Sequence, residues 1–166
     1  MVAPAFSQRV SDGGIAPSGA ASGFAAGMAT GPPLRARTLQ DCLSPFTDLT
    51  LSGESIRSQA ELDPIMHPRC LPDFVTRYAA ESELRHPLAS PLFGDYTGLP
   101  PLLIQVGQHE IIRDDSVRVA ERARAAGVEV TLEVWEGMFH VFQSHEPLLP
   151  EGREAIEHIA AVIRSG

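Results

Sequence analysis

The chain is 166 residues long, 43% of them hydrophobic, with a formal charge of −8. That length can bury a core of its own, and the composition is globular rather than fibrous or low-complexity. The 13 Lys and Arg are outnumbered by 21 Asp and Glu and do not cluster, which argues against a nucleic-acid partner or a polybasic membrane patch.

The two cysteines, Cys42 and Cys70, form no CxxC and have no Cys/His ligand spacing, so two reduced thiols are expected, with no metal and no cofactor. No apolar run reaches the length of a membrane span. Arg9 and Asp12 interrupt the Ala/Gly-rich start and no basic segment precedes an apolar one, so no signal peptide is read and a cytoplasmic location is expected.

Residues 1–37 are rich in Gly, Ala, Ser and Pro, with few large hydrophobes (Phe6, Ile15, Phe24 and Leu34). Such a leader buries too little apolar surface to offset its ordering entropy, and is expected to be loop or disorder outside the fold. The folded texture begins at Thr38, and 38–166 reads as a partial domain. Thr38 to Leu43 is a short strand stopped by Ser44-Pro45. The stretch 52–99 is polar and Pro-punctuated, with one helix around Leu71 to Ala80. Leu102-Leu103-Ile104-Gln105-Val106, ended by Gly107, fits a strand buried on both faces of a parallel sheet.

Asp114-Asp115-Ser116 offers N-cap candidates for a helix to Ala126, with Gly127 placed to end it. Val128 to Val134 alternates as a third strand. A last helix starts near Pro150, with Ile156, Ile159, Ala160 and Ile163 as its core face. Strand and helix in this alternation imply an α/β fold with a parallel sheet. Three strands are few for such a sheet, and an unpaired apolar edge is expected.

Two loops at the carboxyl ends of strands lie where sites of open α/β sheets form: Val106 to Ser116 and Trp135 to Gln143. Ser44-Pro45-Phe46-Thr47-Asp48-Leu49, Pro87-Leu88-Ala89-Ser90-Pro91-Leu92, Leu99 to Gly107, and Gly137-Met138-Phe139-His140-Val141-Phe142 resemble the hormone-sensitive-lipase-like branch of the α/β-hydrolases. The likeness runs in order from about Leu39 to Ile163. It implies the C-terminal part of a doubly wound, mostly parallel α/β-hydrolase sheet with a cap-type helical insertion at 52–99. It also implies carboxylic ester hydrolysis through an acyl-enzyme, with triad order serine, acid, histidine.

In that family the histidine sits in a Gly-x-x-His-x-Phe setting, which His140 matches. One ring nitrogen must face the serine while the other donates to a carboxylate. The other reading of His140 is a histidine packed among Phe139, Val141 and Phe142. The family's acid lies in the loop after the preceding strand, often in Asp-Pro-Leu followed by Arg-Asp. Glu110-Ile111-Ile112-Arg113-Asp114 occupies that pattern with glutamate for aspartate and no proline. Glu110 is the preferred acid; the alternative is a solvated Glu110 with Asp114 or Asp115 in its place. His67, His86, His109, His145 and His158 show no ligand spacing and read as surface or loop residues.

A nucleophile elbow needs Gly-x-Ser-x-Gly, and that pentapeptide occurs nowhere in the 166 residues. The position expected for it falls in the leader, where Ser18 and Ser22 are the only candidates and neither has correctly spaced glycines. A His-Gly-Gly-Gly oxyanion loop is absent too, and such donors often supply the largest stabilising contribution. The expectation is therefore a truncated hydrolase, inactive by itself. Leu71, Phe74, Val75 and Tyr78 lie at helical spacing, facing either an acyl pocket or the sheet. The partner implied is a small-molecule ester, with self-association through the unpaired edge. Two other functions remain open: a non-catalytic remnant serving as an interaction or oligomerisation module, and a small hydrolase using Ser18 or Ser22.

Overall fold

The apolar run after Pro101 forms the middle of a three-stranded parallel sheet. In the computed structural model, which describes residues 39–165, the strands are β1 (Gln40–Leu43), β2 (Leu102–Gly107) and β3 (Val130–Trp135), in the order β1-β2-β3. Gln40 pairs with Leu102, and Leu102 in turn with Val130. Every residue of β2 is buried, as a strand paired on both sides and covered on both faces must be. The outer edge of β1 has no strand neighbour among the described residues, and Leu43 on it is 38% exposed. The leader, with Ser18 and Ser22, lies outside the described residues.

Among the described residues the α-helices are α1 (Ser55–Ser58), α2 (Leu71–Tyr78), α3 (Arg113–Ala125) and α4 (Pro150–Ser165). One core layer joins Leu102 and Ile104 of β2 to Val119, Ala120 and Ala123 of α3, closed over by Leu92 and Tyr96. Gly127 ends α3 in the left-handed region, at φ +83°. Its amide donates to the Arg124 carbonyl and that of Val128 to Ala123, the double bond of a Schellman motif. Between β1 and β2, Leu71 packs with Ile111 and Ile112, while Val75 packs with Leu49 and Ala89. The segment thus rests on the loop that follows β2.

Three expectations need correction. Asp114 and Asp115 are not N-caps: Ile112 holds that position, and both carboxylates lie in the first turn of α3. Asp115 binds amides of the chain after β1, and Asp114 the amide of Ser55 at the start of α1, instead of the helix's own amides. The alternation of β3 holds for Val130 and Leu132, which pack on the core, but Val134 is 46% exposed. In α4 the buried positions are Gly152 and Ala155, while Ile156 and Ile163 are 41% and 61% exposed. The small residues let α4 approach the turn at 142–146: a Cβ on Gly152 would lie 3.1 Å from the Glu146 Cα. Ile159 and Ala160 of the expected face are half-buried.

Candidate active site

The loop after β2 folds its glutamate back under the strand end. The Glu110 amide donates to the Gly107 carbonyl, and the Glu110 side chain, fully buried, accepts from the Gly107 amide through Oε1. The reading of Glu110 as a solvated loop residue does not hold. Its Oε2 lies 3.0 Å from His140 Nδ1. A buried carboxylate needs each oxygen satisfied, and here both are.

The loop after β3 reaches the acid loop by backbone contact. The His109 amide donates to Met138 O at 2.9 Å, and the Gly137 amide to the Gln108 side chain at 3.1 Å. Gly107 is required at this crossing, since a Cβ there would sit 2.4 Å from the Met138 carbonyl oxygen. Beyond His140, Gln143 is buried and donates to Gln105 Oε1 at 3.1 Å, while Gln105 Nε2 donates to Glu133 and to the Ala155 carbonyl. The polar residue in the middle of an otherwise apolar strand is therefore the anchor of the histidine loop.

Ser44 joins the two loops. Its hydroxyl donates to Glu110 Oε1 at 2.7 Å and accepts from the Val141 amide at 3.1 Å. Both residues have left-handed backbones, at φ +46° for Ser44 and +52° for Val141. Neither is a glycine, Val141 is β-branched, and Ser44 precedes a proline. Backbones of this kind cost about 1–3 kcal/mol each and persist only where surrounding bonds hold them.

His140 stands on the wall of a cleft of about 630 Å³. Phe46, Leu49, Ile65, Met66, Phe74 and Leu88 make most of it apolar; Ser44, Tyr78, Cys70 and His67 add polar atoms. Among the described residues no group donates to or accepts from His140 Nε2. Of the four helical positions singled out at 71–78, Phe74 and Tyr78 line the cleft and Leu71 and Val75 face inward. His67, expected to be a plain surface residue, is also in the lining. Among the described residues no cluster of His, Cys, Asp or Glu side chains is arranged to hold a metal ion.

A family model described as the alpha/beta hydrolase fold matches residues 20–144. The chain belongs to the α/β-hydrolase fold family. Among its relatives are an acetyl-hydrolase of Streptomyces hygroscopicus, 44% identical over 135 residues (81% of this chain and 44% of that protein), and an Acinetobacter venetianus esterase. The latter is 39% identical over 119 residues, covering 71% of this chain and 39% of that protein. Among solved structures, a hormone-sensitive lipase from a metagenome library superposes with TM-score 0.74 at 38% identity, over 76% of this chain and 44% of that one. An esterase of the bacterial hormone-sensitive lipase family also gives 0.74, at 42% identity, over 76% and 43%. This α/β-hydrolase chain thus spans less than half the length of these relatives, and carries the resemblance to the hormone-sensitive-lipase branch expected from its motifs.

A second group of carboxylates ties the surrounding loops together. Asp115 accepts from the Thr47 and Asp48 amides at 2.7 and 2.8 Å, tying the chain after Ser44 to the start of α3. Burial pushes the Asp115 carboxyl up to about 7, against the pull of those amides. Asp48 accepts from Arg118 at 2.9 Å. Burial would raise the Asp48 carboxyl too, but hydrogen bonds from Ser52 and Thr50 and the Arg118 guanidinium hold it below the usual range. Asp63 accepts from the Ile111 amide at 3.0 Å. Sequence reasoning missed Ser44, Gln105, Asp63 and this role of Asp115; the one signal available was a polar residue inside an apolar or motif-bearing stretch. Burial pushes the Cys42 thiol up to about 12, so it stays protonated and unreactive.

Proposed function

We propose that the chain is the acid-and-histidine part of a carboxylic ester hydrolase working through an acyl-enzyme. The observation that carries this reading is the fully buried Glu110 carboxylate 3.0 Å from His140 Nδ1, with the ring on the wall of an apolar cleft. Glu110 fixes the tautomer with the proton on Nδ1, leaving Nε2 free to take a proton from an attacking hydroxyl and return it to the departing alcohol. The carboxylate then stabilises the imidazolium formed in between. The apolar cleft suits the acyl or alcohol part of a small ester, with 52–99 as a cap whose α2 presents Phe74 and Tyr78 to it.

Ser44 is not the nucleophile in this reading, because its hydroxyl is committed to Glu110 and Val141. The sequence contains no Gly-x-Ser-x-Gly, and we assign no turnover to the 166 residues by themselves. Purified chain assayed with short-chain p-nitrophenyl esters is expected to match the buffer blank, since loss of a serine nucleophile removes about 10⁶-fold of rate. Robust hydrolysis abolished by Ser18→Ala or Ser22→Ala would overturn that and place the nucleophile in the leader.

A further inference from the structure

We propose that Ser44 is a positioning residue for the acid–base pair, its hydroxyl holding the Glu110 carboxylate and the histidine loop in one fixed relation. The inference rests on reading Glu110 and His140 as that pair. Three chain segments far apart in sequence meet at one oxygen: the end of β1, the loop after β2 and the loop after β3. Ser44 Oγ donates to Glu110 Oε1, the oxygen that does not face the histidine, and accepts from the amide of Val141, the residue next to His140. Partial rotation of the carboxylate plane about its last side-chain bond would swing Oε2 away from Nδ1 and lose the 3.0 Å contact. With Ser44 and the Gly107 amide both on Oε1, that rotation is opposed from two sides.

The backbone supports the same reading. Ser44 and Val141 are two of the three non-glycine residues with positive φ among the described residues, and they are bonded to each other. A plain packing role for Ser44 requires neither a left-handed backbone before proline nor a paired strained residue across the gap. Ser44 is 4% exposed, so water cannot easily replace its hydroxyl.

The test reads the His140 ring directly in the 166-residue chain and needs no turnover. In ¹⁵N-labelled protein, the Nδ1–H proton of His140, assigned by its loss in His140→Gln, is expected as a slowly exchanging downfield signal. It should vanish in Glu110→Ala. In Ser44→Ala its exchange should quicken by about tenfold or more, the factor carried by one well-made hydrogen bond. Ser44→Gly relieves the strained φ while deleting the hydroxyl, so it should keep or raise the melting temperature and still lose protection of the ring proton. Val119→Ala, a core change within α3, should lower the melting temperature without touching the signal. A wild-type ring that lacks the protected proton, or keeps it in Glu110→Ala, would overturn the pair and Ser44's role with it. Protection intact in Ser44→Ala or Ser44→Gly, with Glu110→Ala behaving as expected, would overturn the role of Ser44 alone.

Discussion

Glu110 has no solvent to turn to, so its carboxylate depends on the Gly107 amide, the Ser44 hydroxyl and His140 Nδ1. Glu110→Gln puts an NH₂ among groups that donate, and a thermal or urea melt of the chain should show a loss of about 1–3 kcal/mol. Asp114 contrasts with it: part-exposed, it accepts from the Ser55 amide and meets Arg113 at 3.2 Å. Asp114→Asn should cost about 1 kcal/mol or less in the same melt. Gly107→Ala should cost about 1–3 kcal/mol, because the new Cβ would displace the Met138–Phe139 backbone and the histidine loop behind it. His140 and Glu110 were legible because each sits in a local motif a few residues long. Ser44 was not: its partners lie 66 and 97 positions away, and only the folded sheet ends bring them together.

The strands and helices around the site vary in how plainly the chain announces them. β2 and α3 were readable within a residue or two, since an unbroken apolar run and a terminal glycine at the C′ position are local signals. The face of α4 was not, because periodicity names an apolar stripe without saying what covers it, and here Gly152 and Ala155 make the close contact. The first turn of α3 yields a pH dependence. Asp115 binds its proton more tightly folded than unfolded, with a folded value of about 7 raised from the ordinary carboxylate range. Between those values the native state holds more protons, so stability must fall as pH rises from about 4 to about 7. Asp48, held low, acts in the other direction and only at more acid pH. Asp115→Asn keeps an oxygen for the Thr47 and Asp48 amides and removes the titration. Its melting temperature should therefore vary less between pH 5 and 7 than that of the unsubstituted chain. An equal slope in both would mean that Asp115 ionises freely.

The molecule as described is a three-stranded sheet with an open strand edge at β1 and apolar side chains exposed at Leu43, Val134, Ile156 and Ile163. Unpaired edges and exposed apolar surface favour association. The isolated chain should scatter light as an oligomer at micromolar concentration and bind a hydrophobic dye; a monodisperse monomer with a sharp, high melting transition would show those surfaces to be covered. The α/β class and the parallel sheet were legible from alternating elements. The cleft was only partly so, because its walls come from Phe46, Met66, Phe74 and Leu88, spread over a segment with little regular structure. The central claim, that Glu110 and His140 are the acid and base of an ester hydrolase, is tested most directly in a hybrid. The segment of this chain that matches the Streptomyces hygroscopicus acetyl-hydrolase would replace its counterpart in that protein, and hydrolysis of p-nitrophenyl acetate would be measured. Turnover is expected, falling by about 10⁴-fold or more in His140→Ala and in Glu110→Gln. A hybrid that folds, by circular dichroism, yet turns over no ester, or one whose turnover survives His140→Ala, would contradict it.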